Sequence, residues 1–278
     1  MRLLSYCLSV FFLLGCSQTH PELYSKTFSQ EEKKELAKSL MDAIHRYYQG
    51  SPPQRFILQE AVQYDSANGD VWREAGVPYL KRGLAAGFHK HYQKAVAHNP
   101  VVWTGWRGYI YLFFYRDYDR AIADFDAQDS LTPDLVDYPQ SLSVDYLRGI
   151  CYLQKQELDT ALYYFDKHIR YEKEISGPEY VMPQAYLYEG IAFYKRGDFK
   201  AARACYDEGL KLLPDNADLL LWKGKALWAQ QKKKEAETIL NRALESVRSG
   251  QKNTRPYVEE FYETYASTIE EALQKVKI

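Results

Sequence analysis

The amino-acid sequence predicts an all-α fold: a solenoid of stacked helix–turn–helix units closed by a C-terminal capping helix. Three observations carry this. Two consecutive segments, 183–216 and 217–250, align at a fixed offset, with Gly190 and Gly224, Ala202 and Ala236, and Tyr206 and Leu240 each 34 residues apart. Apolar residues recur at helical rather than strand spacing, with a small residue returning opposite a large one. The few β-favouring stretches, Val101–Trp103 and Tyr109–Tyr115, fall inside segments that the repeat frame assigns to helices.

The first element lies outside that frame. Arg2 precedes an apolar run, Leu8–Leu14, interrupted only by Ser9. The run is too short to span a bilayer, which takes about 20 apolar residues, and it has the form of a secretory signal. It ends in Leu13-Leu14-Gly15-Cys16. This resembles the lipobox of bacterial lipoproteins. The resemblance implies a signal peptide over 1–15, cleavage before Cys16, a diacylglycerol on its thiol and firm attachment through several acyl chains. Ser17, where an Asp would retain a lipoprotein at the inner membrane, points by the same resemblance to the outer membrane of the cell envelope; the face is left open. Residues 16–29 are polar, lack periodicity and read as a tether.

The array is expected over 30–255, in units near 35–68, 69–100, 101–141, 142–182, 183–216 and 217–250. In 183–216 the relevant residues are Tyr186, Gly190, Phe193, Ala202, Tyr206, Gly209 and Pro214. This pattern resembles the tetratricopeptide repeat, a helix–turn–helix unit of about 34 residues. The resemblance implies a right-handed superhelix with a concave inner groove. The frame extends towards the N-terminus through Trp72, Gly76 and Tyr79, then Gly108, Ala121 and Phe125, then Gly149, Ala161 and Phe165. The unit from 101 fits with a helix–helix turn one residue longer. Pro78 lies within a helix of its unit and should kink it. Gly50, Pro52 and Pro53 mark the turn of a weak first unit. Insertions fall near 134–141 and 172–182. The last segment, 256–278, is helical in pattern with Pro256 at its first position and is expected to cap the array.

Function follows less directly. With 36 Lys and Arg against 37 Asp and Glu, the charge balance gives no reason to expect a nucleic-acid partner. His89 and His91 point about 200° apart on a helix and cannot share a metal. There is no glycine-rich phosphate loop and no nucleophile elbow. The expectation is therefore a non-enzyme, with no catalytic residues, metal, cofactor or small-molecule substrate. Cys151 and Cys205 fall on helices that are not neighbours, and free, mostly buried thiols are expected.

By the resemblance, first helices line the concave groove. The expected partner-binding residues are Arg73, Lys81, Trp106, Tyr109, Phe113, Tyr146, Tyr188, Tyr194, Lys195, Lys225 and Trp228. Aromatic rings with interspersed cations suit a protein or peptide partner, because Trp, Tyr and Arg most often dominate interface energies. The reading is a lipid-anchored interaction scaffold. The alternatives are an accessory factor of an outer-membrane assembly or secretion complex and a glycan- or peptidoglycan-binding module, for which the Trp103, Trp106 and Tyr109 group is the hint.

Overall fold

A computed structural model describes residues 28–277; Cys16, the signal peptide and most of the tether lie outside the described residues. Thirteen α-helices and no strand are present among the described residues. They divide between two compact units, one up to Ala75 and one from Gly76 onward.

In the first unit, α1 (Gln30–Ala43) packs on α2 (Pro52–Tyr64). Ser29 and Glu32 form a reciprocal capping box at the start of α1. The turn precedes Pro52 and Pro53 rather than containing them: Ser51 caps α2 and the two prolines open its first turn. A proline nitrogen costs nothing there, because the first helical N–H groups have no intrahelical acceptor. Helix α3 (Gly69–Lys81) carries the chain from the first unit into the second and runs through Pro78 as one helix.

In the second unit consecutive helices pack as pairs. These are α4 (Ala85–His98), α5 (Pro100–Ile110) with α6 (Tyr118–Leu131), α7 (Val144–Gln154) with α8 (Leu158–Ile175), α9 (Pro183–Arg196) with α10 (Phe199–Leu212), and α11 (Ala217–Ala229) with α12 (Lys233–Arg248). Each pair also packs on the next, and α13 (Ala266–Lys277) packs on α12 and α11. Side-chain caps open the helices where the chain reverses: Asn99, Asp117, Ser143, Asp198 and Asn216 each accept a backbone N–H of the first turn.

The recurring glycines set how closely paired helices approach. A Cβ on Gly190 would lie 2.3 Å from Cε1 of Tyr206; on Gly149, 2.6 Å from Cε1 of Phe165; on Gly224, 2.6 Å from Cδ2 of Leu240. The large partner fills the space that the missing side chain leaves, and Phe165 and Tyr206 are completely buried. Burying each such ring contributes about 1.5–3 kcal/mol.

The unit containing α5 shows how the sequence irregularity is absorbed. Gly108 faces Phe125, one residue further along than in the neighbouring pairs. The extra residue sits in a π-helical turn, Tyr111–Tyr115, which ends at Arg116 in left-handed conformation (φ 54°), with the Asp117 N–H donating to the Tyr111 carbonyl at 2.9 Å. A π turn is the least disruptive way to add one residue to a helix while keeping its backbone groups bonded. The insertion after residue 171 is partly helical: α8 continues to Ile175 before a short 3₁₀ turn at Pro178–Tyr180.

The capping helix differs from expectation. Pro256 does not open it. After Arg248 the chain leaves the array, and residues 249–265 contain no helix; α13 begins only at Ala266. This non-helical stretch bears directly on the candidate site.

Candidate functional site

Within the second unit, the first helices of the pairs present aromatic and cationic side chains, and the chain's own residues 252–265 lie against them. The contact begins at α11, where Asp218 accepts the Asn253 N–H at 2.7 Å and Asn216 donates to Asn253 Oδ1 at 3.1 Å. Gln184, at the start of α9, donates to the same oxygen at 3.1 Å. Arg255 then reaches α5. Its Nη1 donates to the Tyr109 hydroxyl at 2.8 Å, and its guanidinium lies 3.6 Å from the centre of the Phe113 ring. Tyr257 accepts a hydrogen bond from Lys81 of α3 at 2.9 Å, with the ammonium also over its ring.

Glu260 and Phe261 are buried in the second half of the segment. Glu260 pairs with Arg255 at 2.9 Å and accepts from the Tyr188 hydroxyl at 3.0 Å. Phe261 is 7% exposed, packs on Phe113 at 5.6 Å and lies under the Arg116 guanidinium at 3.8 Å. Arg116 also donates to the Glu259 carbonyl. Tyr262 meets Tyr188 and, edge-on, Trp222 of α11, with the Lys195 ammonium 5.4 Å from its ring. Burial works against the Arg255 charge, but Glu260 and Tyr109 outweigh it and raise its pKa. Burial also pushes the Tyr188 and Tyr146 hydroxyls up, so Tyr188 stays a donor to the Glu260 carboxylate.

The expected groove residues therefore separate into groups. Lys81, Tyr109, Phe113, Tyr188 and Lys195 touch the C-terminal segment directly. Tyr146 is a buried ring behind them, against Phe165, His168 and Tyr188. Tyr194, Lys225 and Trp228 line a separate cavity further along, with Trp222. Trp106 faces elsewhere, into a cavity of about 270 Å³ with Val101, Gln128 and Pro139, and makes an edge contact with Trp103. Arg73 belongs to the first unit and pairs with Glu74.

Residues that sequence reasoning passed over are Arg116, Arg255, Glu260, Phe261 and Tyr262. One signal for the last four was present: Arg255 before Pro256 is a poor helix cap, so a helix starting there lacked its usual opening residue. The spacing of Val258, Phe261, Tyr262 and Tyr265 is nonetheless that of a helix face, and it misleads.

Cys151 and Cys205 are both free. Cys205 donates to Glu189 at 3.3 Å. Among the described residues no group of His, Cys, Asp and Glu has the arrangement of a metal site, and no helix is long and apolar enough to cross a membrane.

These features define a helix–turn–helix repeat protein whose first-helix face holds a non-helical segment of its own chain. Residues 187–252 match the family model described as tetratricopeptide repeat. No curated protein matches the chain. Among solved structures it is similar to Pseudomonas aeruginosa pilF, at 19% identity and TM-score 0.58, over 80% of this chain and 94% of that one. It is also similar to PilW, described as a widely conserved type IV pilus biogenesis factor, at 15% identity and TM-score 0.59, over 91% and 100%. A tetratricopeptide repeat protein from Parabacteroides merdae gives 15% identity and TM-score 0.52, over 96% and 90%. At these identities the likeness is one of fold.

Proposed function

We propose that this chain is a membrane-anchored tetratricopeptide-type scaffold of the bacterial cell envelope, held by lipid on Cys16, that binds protein partners through the first-helix face. One observation carries the binding reading: that face accepts residues 252–265 by cation–ring stacking, with Arg255 over Phe113 and Arg116 over Phe261, and by the hydrogen bonds that Tyr188 and Asp218 make to the segment. Main-chain and side-chain contacts of this type suit a peptide, and rigid aromatic anchors hold it at low entropic cost. A partner reaches this face by displacing the segment or by extending along the surface it leaves open.

A narrower reading, an accessory factor of one fixed outer-membrane assembly, draws its support from the likeness in fold to pilF and to PilW, a pilus biogenesis factor, over nearly the whole of each. The two readings separate by experiment. A photo-crosslinking residue in place of Tyr257, which is exposed at the edge of the face, is introduced into the full chain in bacterial cells. A protein adduct in the envelope fraction is expected, discrete for a fixed complex and heterogeneous for exchangeable partners. Adducts to glycan alone would overturn the scaffold reading. Cys16→Ser is expected to move the chain from the membrane to the soluble fraction and to abolish fatty-acid labelling; unchanged fractionation would overturn the anchor.

A further inference from the structure

The cavity beside the C-terminal segment is a different kind of feature from the filled face. It has a volume of about 280 Å³ and lies between α11, α12 and α13, with Tyr194 of α9 on one side. Its walls are Trp222, Trp228, Leu240, Ala272 and Val276, and its charged groups are Lys225, Lys275 and Glu271.

Two donors on the lining residues lack an acceptor, though the Trp222 N–H is closed to water and only Lys225 is partly exposed. Trp222 is 8% exposed and its indole N–H has no partner. A buried indole N–H ordinarily finds one, and leaving it unpaired costs free energy. The Lys225 ammonium is half-buried, lies 4.3 Å from the centre of the Trp222 ring, and forms no ion pair or hydrogen bond among the described residues. Desolvation and then the charge of Lys275 lower its pKa, with Glu271 opposing. Two lysines against one glutamate leave the cavity with an excess of positive charge.

From this geometry we propose that the cavity is a binding site for a monocarboxylate carried on an apolar body, with Lys225 as the donor to the carboxylate and Trp222, Trp228, Leu240 and Val276 covering the body. A carboxylate gives the ammonium both an acceptor and a counter-charge. An alcohol or amide leaves the ammonium without a counter-charge. Inorganic phosphate supplies acceptors but leaves the tryptophan and aliphatic walls uncovered. The same chemistry is offered by a free organic acid and by the terminal carboxylate of a peptide ending in an apolar residue. The site is independent of the filled first-helix face, so it stands or falls apart from the scaffold reading.

The test is titration of the full chain, followed by tryptophan fluorescence and calorimetry. The probes are hexanoate, hexanamide, inorganic phosphate, and N-acetyl-alanyl-leucine with a free or amidated terminus. At least one free acid should bind saturably and about tenfold or more tighter than its amide, the factor expected of a charge-assisted hydrogen bond, and phosphate should not compete. Tighter binding of hexanoate assigns the site to a small acid; tighter binding of the acetyl dipeptide assigns it to a chain terminus. Lys225→Met should abolish the preference for acid over amide while circular dichroism and the melting temperature show an intact fold, and Lys225→Arg should restore part of it. Equal binding of acid and amide, failure of both acids to bind, or undiminished acid affinity in Lys225→Met would overturn the proposal.

Discussion

Arg255→Ala tests whether residues 252–265 are held to the first-helix face by the contacts described. The Arg255 side chain is 17% exposed and that of Glu260 7%. Truncation removes the cation from Glu260 and leaves the carboxylate with the Tyr188 hydroxyl at 3.0 Å and its neighbouring N–H. It also strips the guanidinium from the Phe113 face and from the Tyr109 hydroxyl. Breaking a buried pair from one side costs about 3–5 kcal/mol. Because some water reaches Arg255, the lower end applies, about 3 kcal/mol. The measurements are urea denaturation followed by fluorescence, and limited proteolysis mapped to residues 249–265. Arg255→Ala should move the midpoint to lower urea and open that segment to cleavage. Glu260→Gln in the same chain should recover about half of the loss, since no uncompensated charge then stays buried. A shift worth less than about 1 kcal/mol, with no recovery in the double variant, would refute the claim that this ion pair anchors the segment.

Gly190→Ala places a Cβ 2.3 Å from the Tyr206 ring; although alanine favours helix by about 1 kcal/mol, the clash should leave a net loss of about 1–3 kcal/mol, and with Tyr206→Leu the combined loss should be less than additive by denaturant titration. His168 is buried, with a Ser143 contact at 2.8 Å and an unpartnered Nε2. Burial lowers its pKa below 6.5 against the pull of Glu172 and Asp145, so the unfolded state binds the proton first. Its contribution should therefore be intact well above pH 6.5 and decline as pH falls below it, by up to about 1.4 kcal/mol per pH unit, and a His168→Gln chain should lack that component in urea midpoints measured from pH 8 to 5. Burial pushes the Cys151 thiol up, and burial with Glu189 does so for Cys205; alkylation at both, followed by peptide mapping at pH 8, should be slow in the native chain and fast in urea.

The pairing of helices was legible because it rests on local rules repeated many times. Gly149, Gly190 and Gly224 announce a close helix approach, and Phe165, Tyr206 and Leu240 announce what fills it. Each signal recurs within one unit and its neighbour, so periodicity exposes it. The longer turn after Gly108 was visible as an offset of one residue, although its π-helical form was not. The inner face was legible only in part. Tyr109, Phe113 and Tyr188 meet residues of the C-terminal segment, and Lys225 and Trp228 line a cavity, whereas Trp106 turns away.

The sequence by itself determined an all-α architecture of consecutively packed helix pairs. Periodicity and capping are short-range properties, settled within about 34 residues. Only the tertiary structure decided where residues 252–265 go. Val258, Phe261, Tyr262 and Tyr265 have helical spacing, yet the stretch forms turns and no helix, with Tyr257 and Tyr262 in left-handed conformation. The face already built by α5, α7, α9 and α11 offers Phe261 the Phe113 ring, Glu260 the Tyr188 hydroxyl, Arg255 the Tyr109 hydroxyl and Asn253 a carboxylate partner. Lys81, Tyr109 and Tyr188, distant in sequence, thus meet that segment, and such contacts outweigh a local preference for helix that is worth tenths of a kcal/mol per residue.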